Sequence, residues 1–356
     1  MQEIVAQFQE RIRDAVQRKA PLRIRAGGSK DFYGAALAGE ILDMRAYTGV
    51  IEYEPRELVI TVRAGTPLAE IEQVLAGDAQ MLPFEPPHFG DGATIGGTVA
   101  SGLSGPRRAY AGAVRDFVLG ARILDGQGQD LRFGGRVIKN VAGYDVSRLM
   151  AGAFGTLGVL LDLSFKVLPR PVAETTLRFE LSEADAIETM NRWAGQPLPL
   201  SATSWHDGAL MVRLSGAAAG VAAARKKLGG DEWIEDAVGD AQNYWNTLRE
   251  QGAAFFQNAK VLWRLSVPSV APPLALGSSQ WIEWGGALRW LAAAADAASL
   301  RDKIAACGGH ATLFRAADKT ASVFHPLGAG LAKIHQKLKQ TFDPAGILNP
   351  GRMDNY

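Results

Sequence analysis

Glycine-rich segments are the part of this sequence whose residue types could bind a ligand. Between Thr94 and Gly105, four glycines alternate with small hydroxyl and apolar residues. Glycine permits positive φ angles and a close approach of the backbone to a ligand. Consecutive backbone amides in such a loop can converge on one anionic group, and neighbouring hydroxyl groups add donors. The segment is a candidate phosphate-binding loop, but a tight loop packed against its own fold would have the same residue types.

Two further glycine segments lie on either side of this loop in the sequence. Gly27, Gly28 and Ser29 follow a short predicted strand at residues 22–26, an arrangement that suits an anion-binding turn. A third set lies downstream, at Gly143, Gly152, Gly155 and Gly158. None of them has the glycine pattern of a Rossmann or P-loop nucleotide site. We expect the three segments to form one glycine-lined surface that binds a dinucleotide.

Composition limits the classes of function. The chain has 356 residues, and 38 Lys and Arg against 37 Asp and Glu give a net charge of +1. This balance gives no electrostatic basis for nucleic acid or anionic lipid as a general partner. The single cysteine, Cys307, can neither form an internal disulfide nor by itself ligate an iron–sulfur cluster. The five histidines lack close metal-ligand spacing, so no metal site is predicted.

Hydrophobic patterning predicts an α+β protein. Ile4, Phe8, Ile12 and Val16 repeat every four residues, which favours an amphipathic N-terminal helix rather than a signal peptide. No apolar run reaches the roughly 18 residues of a membrane span. After residues 169–171, strands and helices alternate without βαβ regularity, which favours an antiparallel sheet backed by helices. We predict domains at residues 1–171 and 172–326, then a C-terminal helix and tail at residues 327–356.

These pieces together resemble the PCMH-type FAD-binding family, which includes vanillyl-alcohol oxidase and p-cresol methylhydroxylase. The resemblance is carried by Arg25-Ala26-Gly27-Gly28-Ser29, Val62-Arg63-Ala64-Gly65-Thr66, Ala93-Thr94-Ile95-Gly96-Gly97, Val114-Arg115-Asp116 and Gly155-Thr156-Leu157-Gly158-Val159. Similarity to the 2-hydroxyacid-oxidising branch lies in Lys139-Asn140-Val141-Ala142-Gly143-Tyr144-Asp145 and in Asp343-Pro344 with Asn349-Pro350-Gly351-Arg352. Within that branch the chain is similar to the FAD-binding subunits of bacterial glycolate oxidase, through Pro106-Arg107-Arg108, residues 114–120 and residues 284–291.

The resemblance implies a two-part FAD-binding domain, an α+β cap domain with an antiparallel sheet, and a tail that returns to the flavin. The implied cofactor contacts are Gly27, Gly28, Ser29, Thr94, Gly96, Gly97, Ser101, Gly102, Asp116, Gly155, Leu157, Val159, Asn349 and Arg352. Asn349 and Arg352 would approach the isoalloxazine ring, where a cation favours the reduced, anionic flavin. The alternative for Arg352 is a solvated charge near the C-terminus.

No catalytic residue follows from the resemblance. Catalytic members of the hydroxyacid branch carry a cap run like HGHxGDGNxH, and nothing in this sequence matches it. His88 and Arg352 are the remaining candidates. No histidine occupies residues 27–30 and Cys307 lies in the predicted cap, so we expect the FAD to be non-covalent. Arg107 and Arg108 could clamp a carboxylate, since Arg suits bidentate pairing, or else contact phosphate or form a salt bridge.

The function implied is that of an FAD-dependent oxidoreductase subunit in a glycolate oxidase or dehydrogenase complex. The small 2-hydroxyacid would be oxidised to glyoxylate, and electrons would pass to a flavoprotein D-like subunit and an iron–sulfur F-like subunit. Because the cap histidines are missing, the D-like partner would oxidise the substrate and this chain would be an accessory or electron-relay subunit. The location expected is the cytoplasm or, through the complex, the inner face of the membrane. Two alternatives remain: a stand-alone FAD-dependent 2-hydroxyacid or alcohol dehydrogenase, and a non-catalytic scaffold subunit.

Overall fold

The computed structural model describes residues 1–36, 38–135, 144–232, 241–319 and 322–353. The helices within these ranges are α1 (Gln2–Arg18), α2 (Leu68–Gly77), α3 (Ile95–Ser101), α4 (Arg108–Ala111), α5 (Val114–Phe117), α6 (Val146–Leu149), α7 (Glu183–Ala194), α8 (Ala218–Leu228), α9 (Ala241–Arg249), α10 (Ala254–Gln257), α11 (Ala297–Ala306) and α12 (Ala329–Phe342).

The strands within the same ranges are β1 (Leu22–Arg25), β2 (Glu40–Asp43), β3 (Val50–Glu54), β4 (Val59–Arg63), β5 (Gln80–Met81), β6 (Val118–Leu124), β7 (Asp130–Gly134), β8 (Val159–Lys166), β9 (Leu168–Pro169), β10 (Ala173–Glu180), β11 (Leu200–His206), β12 (Ala209–Gly216), β13 (Asp231–Glu232), β14 (Leu262–Ser266), β15 (Gln280–Glu283), β16 (Leu288–Leu291) and β17 (His310–Arg315).

The chain divides into two compact units. The first contains Met1–Leu103, Ala113–Pro169 and Pro326–Tyr356, and the second contains Ser104–Gly112 and Arg170–His325. The short segment from Ser104 to Gly112 therefore groups with the second unit, although its sequence neighbours on both sides belong to the first.

An antiparallel sheet forms one part of the first unit, with strand order β3-β4-β8-β6-β7. Its central strand, β8, pairs with β4 and β6. Most residues of β4 and β8 are buried, as expected for central strands with apolar side chains on both faces. The hydroxyl groups of Thr61 and Ser164 lie 2.9 Å apart and satisfy one another across this sheet.

The other part of the first unit brings the two ends of the chain together. β1 and β2 pair in parallel, and Leu348 of the tail forms a parallel bridge with Leu22. Phe8 and Ile12 of α1 are buried in the same core cluster as Leu22 and Leu348. Because β1 ends at Arg25, the Gly27–Ser29 turn begins directly beside the C-terminal tail.

The segment that follows Thr94 is a helix, not the predicted loop. The Thr94 side chain accepts a hydrogen bond from the amide of Gly97, and α3 ends at Gly102, whose φ of 66° is left-handed. Threonine is a favoured N-cap, and glycine readily adopts the left-handed conformation that ends a helix. The sequence thus contained both boundaries of this helix, but its glycine content led to the wrong prediction.

The second unit contains an antiparallel sheet with strand order β13-β10-β12-β11-β15-β16-β14-β17. Helices α7 and α8 contribute Met190 and Val221 to the core that covers β10, β11 and β12. Helix α11 contributes Leu300 and Ile304 to a second core on β14, β16 and β17. The α+β class and the antiparallel sheet predicted for this part of the chain are confirmed.

Most of the segment Lys139–Asp145 lies outside the described residues. Tyr144 and Asp145 are described: the side chain of Tyr144 is exposed, and that of Asp145 caps α6 by accepting from the amide of Arg148. In the part of the chain that the structure describes, no helix has both the length and the apolar content needed to span a bilayer.

Ile12 offers a test of the core shared by the two chain ends. It is fully buried in the cluster that joins α1, β1 and the tail. We expect Ile12→Ala to reduce the free energy of unfolding by about 2–5 kcal/mol through lost burial and a new cavity. The exposed Glu10 is the control, since Glu10→Ala should change stability by no more than about 0.5 kcal/mol. Urea unfolding measures the stability of both variants. Equal unfolding midpoints for the two would contradict the burial of Ile12 in this core.

Candidate functional site

One cleft of the first unit is lined by all three glycine segments. Its empty volume, including the open mouth, is about 810 Å³. The residues that line it are Ile24, Arg25, Ala26, Gly27, Gly28, Ser29, Lys30, Asp31, Met44, Ala64, Gly92, Thr94, Gly96, Gly97, Ala100, Ser101, Phe154, Gly155, Gly158, Leu160, Asn349 and Arg352. Segments far apart in sequence thus meet at one surface with little side-chain bulk.

The turn after β1 has the properties of an anion-binding loop. The backbone amides of Gly27, Gly28 and Ser29 make no hydrogen bond within the part of the chain that the structure describes. Gly28 has a φ of 74°, and a Cβ built on Gly27 would lie 1.5 Å from the carbonyl oxygen of Gly92. Three unused donors on successive residues, in a turn that only glycine fits, suit an anionic ligand such as a pyrophosphate.

Charged side chains around this turn give it a positive potential. Arg25, Lys30 and Arg352 line the cleft, whereas Asp31 is the one acidic residue among its described lining residues. The Asp31 carboxylate accepts hydrogen bonds from Arg23 and Arg25 at 2.6 and 2.7 Å, which offsets part of their charge. Cations beside unused backbone donors favour a ligand with two negative phosphates.

Helix α3 lines the cleft with its surface and does not direct its amides at a ligand. The amide of Ile95 donates to Thr66 at 3.0 Å, that of Gly96 to Ala64 at 2.8 Å, and that of Gly97 to the Thr94 side chain at 3.3 Å. Its N-terminal donors are therefore already used by the fold. The glycines permit close packing, since a Cβ on Gly96 would lie 2.7 Å from the carbonyl oxygen of Ala64.

Asn349 of the C-terminal tail connects two walls of the cleft. Its Oδ1 accepts from the amide of Ile24 at 2.8 Å, and its Nδ2 donates to the carbonyl of Phe154 at 2.6 Å. Ile24 lies in β1, just before the Gly27 turn, and Phe154 directly precedes Gly155. The side chain thus positions both glycine turns, which is a different role from direct contact with the flavin ring.

Arg352 is buried, with 5% of its surface exposed, so the solvated-charge alternative is wrong. Its guanidinium donates to the carbonyls of Lys30, Asp31, Tyr33 and Ala35 in the segment that follows the glycine turn. Burial lowers its pKa to about 10, which leaves the group cationic at neutral pH. Arg352 therefore fixes this segment and also supplies a permanent positive charge at the cleft, and a contact with flavin stays a prediction.

Several predicted residues lie away from the cleft lining. Gly102 ends α3, and Val159 is fully buried in β8. The Asp116 carboxylate accepts from the amide of Ala113 at 2.8 Å. Leu157 lines a neighbouring cavity of about 1480 Å³, which shares Asn349 and Arg352 with the cleft. The imidazole of His88 lies 3.1 Å from Glu72.

His88 contributes to the turn through its backbone. Its carbonyl accepts from the Lys30 ammonium at 3.2 Å, and Lys30 also lies 5.9 Å from the ring centroid of Phe89. A catalytic role for the imidazole stays a prediction. Among the described residues, no group of three or more His, Cys, Asp and Glu side chains could hold a metal ion.

The predicted set omitted Lys30, Met44, Ala64, Gly92, Phe154 and others that line the cleft. Gly92 had a detectable signal, because it stands in a glycine-rich stretch just before Thr94. Met44, Ala64 and Phe154 had none, since apolar residues after strands and turns are common throughout the chain.

Two family models match the chain. Residues 3–134 match an FAD-binding domain, and residues 317–353 match the C-terminal domain of FAD-linked oxidases. A solved alkyldihydroxyacetonephosphate synthase superposes with a TM-score of 0.69 at 16% identity, over 96% of this chain and 74% of that one, which shows a common fold. The family models define the class of the chain as an FAD-linked oxidase, and the predicted cofactor, FAD, is confirmed.

Similar proteins of known name give more detail than the family models do. Glycolate oxidase subunit GlcE of Escherichia coli is 50% identical over 97% of this chain and 95% of its own length. Glycolate oxidase subunit GlcD of Bacillus subtilis is 31% identical, but over 42% of this chain and 31% of its own length. A D-lactate dehydrogenase of Archaeoglobus fulgidus is 29% identical over 52% of this chain and 42% of its own length. The chain belongs to the FAD-linked oxidase family of glycolate oxidase subunit GlcE, which confirms the predicted resemblance.

The Gly27 turn provides a test with a matched control. Gly27→Ala would place a methyl group against the carbonyl of Gly92 and displace the turn. We expect at least about tenfold weaker FAD binding, measured as the flavin-to-protein ratio after dialysis and as the dissociation constant. The control is Gly220→Ala in α8, where an added Cβ meets nothing within 4 Å and should be neutral or stabilise by up to about 1 kcal/mol. Equal flavin retention by the two variants would contradict the assignment of this turn.

The Asn349 side chain provides a second test. Asn349→Ala leaves the amide of Ile24 and the carbonyl of Phe154 without partners, at a cost of about 2–4 kcal/mol. We expect a lower thermal midpoint and weaker FAD binding together, because both glycine turns lose their positioning group. Asn258→Ala, at an exposed position, is the control. If the two variants unfold and bind FAD alike, the amide does not position the turns.

Proposed function

We propose that this chain is an FAD-binding subunit of a complex that oxidises glycolate to glyoxylate. The observation that carries the proposal is similarity to GlcE along almost the whole chain. The unused amides of residues 27–29 and the positive charge around them support the presence of a functional cofactor site. They argue against a scaffold subunit, which would have no need for unpaired donors in a glycine turn.

FAD bound to this chain would supply a group that accepts electrons and passes them on, which is the chemistry of an electron-relay subunit. The residues of this chain would bind and orient it: the Gly27–Ser29 amides hold the pyrophosphate, and Lys30 and Arg25 neutralise its charge. Arg352, held by four carbonyls, keeps a cation at the cleft that favours electron density on a nearby ring. Asn349 holds the two turns at the spacing that the cofactor requires.

We propose that the FAD is bound without a covalent link. Neither His nor Cys is among the residues that line the cleft. The single cysteine, Cys307, lies in the second compact unit, where its thiol donates to the carbonyl of Ile304. Among the described residues, the cleft thus offers neither an imidazole nor a thiol for covalent attachment of the flavin.

Electrons must leave such a subunit through a partner. A chain with one cysteine cannot ligate an iron–sulfur cluster, and the histidine run of catalytic hydroxyacid oxidases is missing. We propose a D-like flavoprotein partner that oxidises glycolate and an F-like iron–sulfur partner that receives electrons. Part of this chain is similar in sequence to GlcD. This similarity supports a common origin of this chain and its proposed D-like partner.

A tagged copy of the chain, purified from its own cell, tests the proposal. We expect absorption bands of about one flavin per chain, a colourless pellet after acid precipitation, and co-purification of a second flavoprotein and an iron–sulfur protein. The complex should reduce an artificial acceptor with glycolate, whereas the isolated chain should not. Absence of flavin would refute the functional site, and turnover by the isolated chain would show a stand-alone dehydrogenase instead.

A further inference from the structure

The turn between β15 and β16 has a strained backbone in the interior of the second unit. Trp284, Gly285 and Gly286 have φ angles of 55°, 65° and 101°, and all three residues are buried. Positive φ is unfavourable for a bulky residue such as tryptophan. The turn is held by hydrogen bonds from the Trp284 indole to the carbonyl of Gly105 at 3.1 Å and from the Gly285 amide to Thr203 at 2.9 Å. Retained strain of this kind concentrates at ligand sites.

Two guanidinium groups lie against the indole of Trp284. The central carbon of Arg108 is 4.4 Å from the ring centroid, and that of Arg264 is 5.2 Å away. Arg108 begins α4, and Arg264 lies in β14, so residues 156 positions apart in sequence place two cations at one ring. For Arg264, the cation–π contact fixes the guanidinium plane but uses none of its hydrogen-bond donors.

Arg264 differs from the other partly or fully buried arginines of this unit. Arg107 forms an ion pair with Glu174 at 2.8 Å, and Arg289 donates to the carbonyls of Pro272 and Ala271. Arg264 is half-buried, yet within the described ranges it has neither a hydrogen bond nor a carboxylate within 4 Å. A guanidinium has five N–H donors and a planar shape that matches a carboxylate.

Glu283 interacts electrostatically with Arg264 but forms no ion pair with it among the described residues. Glu283 is buried in β15 and accepts from the indole of Trp290 at 2.7 Å, and burial raises the pKa of its carboxyl to about 7. On neighbouring strands, Trp290 and Thr312 lie opposite Arg264, and both are uncharged. The pKa of His310 is lowered, mainly by burial and also by the positive charge of Arg264.

We propose that Arg264, together with Arg108 on the same indole, binds the carboxylate of a small organic acid. The identity of that acid rests on the proposed function: the complex oxidises a short 2-hydroxyacid, glycolate, at its D-like partner, and this chain would bind the same acid without oxidising it. The carboxylate would accept the unused donors of Arg264, and the strained Trp284 turn would hold both cations in place. This assigns a ligand role to the Arg108 segment, whereas Arg107 is a structural ion pair with Glu174.

Glu283 gives the site a characteristic pH dependence. Its ionised carboxylate would repel a bound anion and compete for the field of Arg264, so the protonated form favours binding. Among the neighbours, the pKa of Tyr244 lies above its usual value and that of His310 below, so both are neutral above pH 7, and the arginines stay charged. Affinity for the anion should thus be highest below pH 7 and fall as the pH rises through the pKa of Glu283.

Calorimetric titration of the purified, flavin-containing full chain with glycolate tests the proposal. We expect Arg264→Gln to weaken binding at least about tenfold and Arg264→Lys to have an intermediate effect, because it keeps the charge without the planar fork. Lys227→Gln, at an exposed position of α8, should bind as the wild type does. The wild-type dissociation constant should rise between pH 6 and pH 8, and that of Glu283→Gln should not. Thermal midpoints check that each variant is folded.

Two outcomes would overturn this inference. Wild-type chain without measurable glycolate binding would do so, as would Arg264→Gln with a dissociation constant within twofold of the wild type. If the tagged wild-type complex still contains flavin and oxidises glycolate in either case, this site alone is refuted. If the wild-type chain carries no flavin, the proposed function is refuted whatever the titration shows.

Discussion

The side-chain amide of Asn349 is the contact on which the rest of the candidate site depends. It spans 325 positions of sequence to reach the amide of Ile24, and it also holds the carbonyl of Phe154. The position of Asn349 is in turn fixed by hydrogen bonds within the tail. Asp343 accepts from the amides of Ile347 and Leu348 and forms a 2.6 Å ion pair with Lys339. The two glycine turns can face one another only while this tail stays in place.

Some hydrogen-bond donors around the cleft are used within the fold, whereas others have no protein partner and can bind a ligand. The amides at the start of α3 are used by Thr66, Ala64 and Thr94, and the guanidinium of Arg352 is used by backbone carbonyls. The amides of residues 27–29 have no partner among the described residues. Because these three amides lie in the cleft beside the cationic side chains of Arg25, Lys30 and Arg352, they are the observation that best supports an anionic ligand.

The sequence was sufficient for the fold class, the antiparallel sheet and the convergence of distant glycines. It was not sufficient for α3, where threonine and glycine mark a helix that the glycine content obscures. It also could not distinguish residues that line the cleft from residues of the core behind it. Gly155 lines the cleft, whereas Val159, four residues later, is buried in the core. Such differences depend on which strand face is buried, and that is decided by partners far away in sequence. The lack of a partner for Arg264 likewise becomes visible only when the strands on both sides are placed.

The most direct measurement of the central claim is a crystal structure of the chain with FAD bound. The account predicts pyrophosphate oxygens within hydrogen-bond distance of the amides of Gly27, Gly28 and Ser29, with Asn349 still joined to Ile24 and Phe154. A cofactor whose phosphates lie at the N-terminus of α3 or outside this cleft, with the three amides left to water, would contradict it.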